Sequence, residues 1–184
     1  LIGNPDLNLA TTDIDNNGSE PSCVSANCSA SGTIVPQLNG SYIGYSSNSN
    51  LVVDNSTLTI NASDYKDVRV RQGGSLFMSA SFTSYHFKKL KVENNSFIYL
   101  TAGDYFLEQI DIKGSSQLIV QGAGTARIYV KNKAKFKESS ITNGGASGDP
   151  SKLVVYFFGD DEDKIKVESG ASFAGYIYSE KKYI

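Results

Sequence analysis

Residues 68–76 read VRVRQGGSL and residues 90–97 read LKVENNSF, two copies of a pattern that recurs along this chain of 184 residues. Each copy has two apolar residues that flank one other residue, then a turn of small polar residues, then a further apolar residue. The other copies are LVVDNSTL at 51–58, IDIKGSSQL at 110–118, AKFKESSI at 134–141 and IKVESGASF at 165–173. Successive copies begin 17, 22, 20, 24 and 31 residues apart, so the chain contains an internal repeat.

The alternation of side chains explains the pattern. Residues two apart in a strand point to the same side, so Val68 and Val70 line one face, as do Leu90 and Val92. The Gly, Asn and Ser residues that follow tolerate a tight turn or a left-handed backbone. The chain then enters a second short strand at the next apolar position, which is Leu58, Leu76, Phe97, Leu118, Ile141 or Phe173.

The repeat predicts an all-β fold, a short parallel β-helix or related β-solenoid of about six rungs, because stacking buries apolar sides that one unit cannot bury alone. The alternative is an antiparallel sandwich or jelly roll, whose hairpins would favour Asn-Gly or Asp-Gly between strands of similar length. Here the turn recurs at a fixed place within a longer unit, which favours the solenoid. We expect these side chains to point inward: Val68, Val70, Leu90, Val92, Ile110, Ile112, Phe136, Ile165 and Val167.

The solenoid is assigned to residues 41–184, and residues 1–40 to an irregular N-terminal cap that covers the open edge of the first rung. Residues 142–150 (TNGGASGDP) are predicted to be an insertion loop that explains the longest offset. The apolar run at 153–158 (LVVYFF) predicts a strand buried on both faces. The chain starts without a signal segment and ends just after a strand, so we expect it to be part of a longer protein.

Composition excludes several classes of protein. Charged residues make up 20% of the chain and hydrophobic residues 40%, which is typical of a folded domain. The longest apolar run is far shorter than the ~20 residues of a membrane-spanning helix, so no membrane span is expected. The formal net charge is −2. A nucleic-acid partner is therefore not expected either, because such proteins are strongly basic.

The two cysteines, Cys23 and Cys28, are five residues apart. They are interpreted either as a small disulfide in an oxidising compartment or as two free thiols. The disulfide is favoured, since the chain has no further Cys, and only one His, to complete a zinc site. It also indicates a location in the cell envelope or outside the cell.

One segment has the spacing of a calcium loop. Asp13, Asp15 and Asn17, followed by Gly18, form a D-x-D-x-N-G pattern in which three side-chain oxygens can converge on one cation. The twelfth loop position is Val24, where a full EF-hand has a bidentate Glu. An Asx-rich surface turn is therefore the alternative, and calcium is the only cofactor the sequence suggests.

A basic stripe is the second candidate site. The run KNKAKFK is predicted to place four lysines on one strand face, opposite Asn132, Ala134 and Phe136. Equivalent positions of other units add further basic residues, so that the predicted stripe comprises Arg69, Lys91, Lys131, Lys133, Lys135, Lys137 and Lys166. Such a stripe could hold an anionic polymer. The alternative is a solvated outer face whose mixed charges neutralise one another across rungs.

Three further features of the sequence bear on chemistry. The successive acids Asp160, Asp161, Glu162 and Asp163 could serve in a polysaccharide-degrading β-helix enzyme, but four adjacent acids point in several directions, as in a solvated turn. His86 is the single candidate base for a catalytic triad and is interpreted as a strand residue at a rung edge. Eight tyrosines could stack on sugar rings if they are exposed, or else form the edge of the core: Tyr42, Tyr45, Tyr65, Tyr85, Tyr99, Tyr105, Tyr176 and Tyr178.

The repeats resemble the β-solenoid region of the MshQ-like family of bacterial proteins, which are associated with the mannose-sensitive haemagglutinin pilus. The resemblance is carried by SDYKDVRVRQGGSLFMS, TAGDYFLEQIDIKGSSQLIV, ARIYVKNKAKFKESSITNGG, DPSKLVVYFFG and VESGASFAGYIYS, all within residues 63–179. It implies a secreted, outer-surface or periplasmic location in a Gram-negative bacterium. It also implies a non-enzymatic structural or adhesive role, with a surface glycan or a pilus component as partner. A carbohydrate-binding module is the alternative, and a polysaccharide-degrading enzyme is a more distant one.

Overall fold

The described part of the chain is a parallel β-solenoid. In this computed structural model it comprises residues 44–159, 164–168 and 170–179. The all-β solenoid predicted from the repeat is thereby confirmed. Six stacked units give about five complete turns, because a turn is the path from one unit to the next.

The strands of the described ranges form two parallel sheets, one of eight strands and one of six. The first sheet contains β1 (Leu51–Asp54), β3 (Asp64–Arg71), β5 (Ser84–Val92), β7 (Gly103–Ile112), β9 (Ala126–Phe136), β11 (Leu153–Phe157), β12 (Lys164–Val167) and β14 (Tyr176–Ser179). The second contains β2 (Thr57–Thr59), β4 (Ser75–Phe77), β6 (Phe97–Leu100), β8 (Gln117–Val120), β10 (Ile141–Thr142) and β13 (Ser172–Phe173). Each unit crosses from the first sheet to the second and returns one rung further on.

The first apolar position of every unit lies in one column of the first sheet. The strand register joins these positions from rung to rung in the order Leu51, Val68, Leu90, Ile110, Ala134 and Ile165. From Val68 onward each of them is at most 3% exposed. Of the residues predicted to point inward, all but Val167 are buried, and Val167 packs against the core while partly exposed. The repeat therefore sets the register.

In the second sheet all six predicted entry positions lie within strands, but they do not form a single column. The inward column runs through Leu58, Leu76, Ile98, Leu118, Thr142 and Phe173. Phe97 pairs instead with Ser75, and Ile141 pairs with Gln117. Phe97 and Ile141 are the first residues of their strands, and their side chains point outward. The apolar character of Phe97 and Ile141 makes them look equivalent to Leu76, whereas the turn length, which is the same in every unit after the first, decides which residue points inward.

Most turns between the two sheets share one backbone conformation. Two successive residues with positive φ occupy four of these turns, as in Asn94 and Asn95, both at 59°, whereas Asn55 alone has positive φ in the first turn. The turns also stack: the backbone N–H of Gly73 donates to Asn94 O (3.0 Å), and that of Asn95 donates to Gly114 O (2.8 Å). Gly and Asn recur at these places because the left-handed region costs them least.

The last rung is longer than the others for two reasons. Two 3₁₀ helices, Gly145–Ser147 and Pro150–Lys152, lie between β10 and β11, within and just beyond the predicted insertion loop. In addition, β11 pairs with the first half of β9 and β12 with its second half, so that two separate strands of this rung face the single strand β9. Only one face of β11 is fully buried, because Val154 and Tyr156 point outward. The prediction of a strand buried on both faces was wrong.

Several predictions fall outside the described ranges: the cap at 1–40, the cysteines Cys23 and Cys28, the calcium loop at Asp13, Asp15 and Asn17, and the acidic cluster at 160–163. They remain predictions. None of the helices in the described ranges combines the length and the apolar character that a membrane crossing requires.

Candidate functional site

The outer side of the first sheet carries two different surfaces. Each long strand has a corner at which two successive residues point outward, such as Lys88 and Lys89 in β5. Before the corner the outward residues are mainly aromatic, and after it they are mainly charged. Strict stacking of the strands turns each outward position into a column along the solenoid.

The central charged column contains four of the residues predicted to form a basic stripe. The register places Val52, Arg69, Lys91, Asp111, Lys135 and Lys166 side by side on successive rungs. Asp111 therefore interrupts the column. Lys133 lies one column away, beside Gln109, and Lys137 follows the last inward residue of β9.

Lys131 is exposed, but a bulge separates it from the other lysines of β9. A β-bulge in β9 sets Val130 opposite Leu107 but Lys133 opposite Gln109, so that β9 has one more residue than β7 in this interval. Asn132 is half-buried rather than inward, and Lys131 lies on the other side of the bulge. The burial pattern of KNKAKFK therefore departs from the predicted alternation at Asn132, because the bulge adds a residue there, while Lys131 and Lys133 are both exposed.

On the rungs nearer the N-terminal end, which we call the upper rungs, carboxylates neutralise Arg69, Arg71 and Lys91. Arg69 Nε donates to Glu93 Oε1 at 2.6 Å, and Lys91 Nζ lies 2.7 Å from Glu93 Oε2. Glu93 is 4% exposed. Burial opposes its ionisation, but the hydrogen bonds from Lys91 and Arg69 outweigh burial and hold the pKa of Glu93 below its usual value. On the adjacent rung, Arg71 pairs with Asp54 at 2.9 Å.

The rungs nearer the C-terminal end, which we call the lower rungs, carry lysines with few ion-pair partners among the described residues. We call Lys113, Lys133, Lys135 and Lys137 the basic surface. Lys113 and Lys137 follow Ile112 and Phe136, which pair with each other, so these two lysines are neighbours on adjacent rungs. Of the four lysines, Lys137 alone forms an ion pair with a described residue, the exposed Glu138, at 3.8 Å. Burial, together with repulsion from Lys133 and Lys137, lowers the pKa of Lys135.

Before the corner runs the aromatic column, made of His86, Phe106, Tyr129, Tyr156 and Tyr178. Adjacent ring centroids are 4.8, 4.9, 5.0 and 5.5 Å apart, and adjacent planes lie within 20° of parallel. The rings stack on one another along the solenoid axis. Each inner ring therefore has a neighbour over both of its faces, and Tyr129 is only 7% exposed.

Charged and polar groups border the aromatic column. Arg127 Nε donates to Asp104 Oδ1 at 2.6 Å and Arg127 Nη2 donates to Asp104 Oδ2 at 3.0 Å, across adjacent strands. Burial and the nearby carboxylate of Asp104 raise the pKa of Tyr129 to about 12. At the first ring of the aromatic column, His86 Nδ1 lies 2.9 Å from Gly44 O. The residues before β1 therefore contact this face of the first sheet.

Sequence reasoning placed His86 at a rung edge but missed the column itself. The signal was available, since His86 and Phe106 both stand four residues before the first apolar position of their units. It was obscured at Tyr129, which the bulge moves to five residues before Ala134. The aromatic residues Tyr85 and Tyr105, adjacent in sequence to His86 and Phe106, point the other way and belong to the core.

The outer side of the second sheet is also partly apolar. Phe77 and Tyr99 stack at 4.2 Å with planes 6° from parallel, and Phe97 lies beside Tyr99 at 6.3 Å. Ile119 and Ile141 continue this outward surface on the next rungs, and all five side chains are half-buried. No three His, Cys, Asp or Glu residues of the described ranges come close enough together to hold a metal ion.

The fold and its outer columns define a protein of the parallel β-solenoid class. Residues 61–182 match the family described as a domain of unknown function, DUF7305. The match spans more than half of the chain, so the chain belongs to this family. Comparison with curated proteins gave no match, and comparison with solved structures gave none.

Proposed function

We propose that this chain is a non-enzymatic domain of a bacterial surface protein and that it has a structural and adhesive role. The observation that supports this most is the register of the rungs, which aligns equivalent outward positions in columns and shifts only at the bulge between β7 and β9. Such columns offer the extended surface that repeat proteins use for binding. The resemblance of residues 63–179 to the MshQ-like family supports a pilus-associated location in the envelope of a Gram-negative bacterium.

The state of the carboxylates favours a role without catalysis. Glycoside hydrolysis needs two carboxyl groups, one as acid and one as base or nucleophile, facing a shared cleft. Three carboxylates on the outer face of the first sheet, Asp54, Glu93 and Asp104, are instead held by arginines on neighbouring rungs. Because its pKa is lowered, the Glu93 carboxylate stays ionised and is a poor proton donor.

Sugar binding by ring stacking remains the second candidate, because aromatic residues do lie on outer faces. Stacking on a sugar requires a free ring face. In the aromatic column the inner faces are covered by adjacent rings, which leaves the two ends of the column. We therefore rank this candidate below a general adhesive role.

A bead-retention assay tests the proposal. Beads coated with the folded chain should be retained on host-cell or biofilm surfaces under flow, whereas beads coated with the unfolded Ile112→Asp variant should be released. Val52→Asp is the matched control, because Val52 is 55% exposed and the same charge there leaves the core intact. The same preparation should release no reducing ends from polysaccharides. Equal retention of folded and unfolded chains, or sugar release, would overturn the proposal.

A further inference from the structure

Positive charge is distributed unevenly over the charged face of the first sheet. On the upper rungs Arg69 and Lys91 share the buried Glu93. On the lower rungs Lys133 and Lys135 lie at alternate positions of β9 and Lys137 follows directly after this strand, with Lys113 one rung above. Neighbouring charges are then about 7 Å apart along the strand and about 5 Å apart between rungs.

Most lysines of the basic surface have no carboxylate partner among the described residues. Lys113, Lys133 and Lys135 form no ion pair with any residue of the described ranges, and Lys133 is exposed. Asp111 and Glu168 are close enough to stabilise the charge of Lys135, but burial and two lysines act against it. An anion laid over these four side chains would relieve that repulsion, since each unpaired ammonium group interacts favourably with negative charge.

We propose that the basic surface, Lys113, Lys133, Lys135 and Lys137, binds a linear acidic polysaccharide, such as a polyuronate, across the lower rungs. This inference rests on the proposed function and names the class of ligand to which the domain adheres. Two lysines of β9, the lysine that follows this strand and one on the rung above provide a short track for spaced carboxylates. The interaction is electrostatic, so it weakens as salt screens the charges.

The pattern of charge favours a polyuronate over nucleic acid. DNA carries one negative charge per ~1.7 Å of axis, and proteins that bind it have densely basic surfaces. Here Asp111 lies within the central column between Lys91 and Lys135, and Glu168 follows β12 on the next rung. These carboxylates would repel a dense polyphosphate but leave room for a polymer with one charge per sugar ring.

Affinity measurements on the whole chain test this inference, with polygalacturonate as probe and with neutral dextran and double-stranded DNA as comparisons. The Lys133→Gln/Lys135→Gln double variant should bind polygalacturonate about tenfold more weakly at low salt. Lys66→Gln/Lys152→Gln has the same change of charge elsewhere on the surface and should stay within about twofold of wild type. Asp111→Asn should bind more tightly, because it removes a negative charge next to Lys135.

Three results would overturn the inference: no binding of polygalacturonate at low salt, equal losses in the two double variants, or tighter binding to DNA than to polygalacturonate. Thermal unfolding of each variant confirms that all of them are folded. Failure of the two proposals is distinguishable. Retention of the beads on cells without affinity for polygalacturonate would contradict the proposed ligand but not the adhesive role. Loss of retention would contradict both proposals.

Discussion

Tyr85 and Tyr105 stack face to face inside the solenoid, with ring centroids 5.1 Å apart and planes 6° from parallel. They occupy equivalent positions of adjacent rungs, and each is at most 1% exposed. The Tyr105 hydroxyl donates to Thr101 O at 2.8 Å and accepts from Thr101 N–H at 3.0 Å. A column inside the fold thus depends on polar contacts as well as on apolar burial.

Replacing Tyr105 with Phe should lower the free energy of unfolding by about 1–2 kcal/mol, because the backbone groups of Thr101 lose their buried partner. Urea unfolding measures the change. Tyr99→Phe is the matched control: Tyr99 is on the outer side of β6, and its loss of a hydroxyl should cost less than ~0.5 kcal/mol. Equal effects at the two positions would show that the Thr101 contacts do not contribute.

Tyr105 should also make stability depend on alkaline pH. Burial raises its pKa from 10.0 to about 12 in the folded protein. A raised pKa means that the contribution to stability is complete below pH 10 and is lost as the pH rises toward 12. Phenolate absorbance of the folded chain should therefore rise later than that of the urea-unfolded chain. Superimposable titration curves would contradict this assignment.

The ion pairs of Glu93 should stabilise the fold at neutral pH but not in acid. Its pKa is lowered in the folded protein, so its contribution is present above its usual value of 4.5 and is lost as the pH falls through the folded pKa. Glu93→Gln should cost about 1–2 kcal/mol at pH 7, measured by urea unfolding, and almost nothing once the wild-type carboxyl is protonated.

Glu168→Gln provides the control for that experiment. Glu168 takes the same place after the inward pair of its unit, but it has no ion pair with a described residue, so its replacement should change stability by less than ~0.5 kcal/mol. If Glu93→Gln is as mild as Glu168→Gln at pH 7, the three-way contact with Arg69 and Lys91 does not stabilise the fold.

The turns between the sheets predict opposite outcomes at adjacent glycines. Gly73 has φ +79° and open space around it, and Asn95 occupies the equivalent place one rung on, so Gly73→Asn should be nearly neutral. A Cβ at Gly74 would lie 2.8 Å from Val53 O and 3.0 Å from Arg71 O. Gly74→Ala should therefore destabilise by about 1–3 kcal/mol in thermal or urea unfolding. The reverse order of the two effects would contradict the turn geometry.

Much of the fold could be predicted from the sequence, because an apolar pair followed by a turn of fixed length specifies both the strand and its register. The column from Leu51 to Ile165 was found in this way. The bulge at Val130–Lys133 and the break between β11 and β12 were not, since both insert residues without changing the apolar pattern. The shift at Phe97 was missed because an outward aromatic residue imitated an inward one.

The site was less predictable than the fold. The mixed signs along the outer columns indicated neutralisation across rungs, and the pairs of Arg69 with Glu93 and of Arg71 with Asp54 have that form. Which lysines stay without a partner depends on the register of three columns at once and on the bulge in β9. Those details follow from side-chain geometry, which the spacing of residues in the sequence does not contain.

Placing a charged side chain in the core should unfold the whole solenoid rather than one rung. Ile112 is fully buried, so Ile112→Asp replaces about 2–3 kcal/mol of burial with an unpaired buried carboxylate and should abolish cooperative unfolding. Circular dichroism during heating measures this. Val52→Asp at the exposed edge of the first rung should keep the wild-type transition. An unchanged transition in Ile112→Asp would show that the inward column is wrongly placed.

The central claim is that this solenoid is an adhesive domain displayed at the cell surface, and labelling of intact cells tests it most directly. Antibodies raised against the purified chain are applied to intact and to permeabilised cells of the bacterium that encodes it, with a cytoplasmic protein as the control for leakage. The account predicts strong labelling of intact cells, which external protease removes. Labelling that requires permeabilisation of both membranes would contradict it.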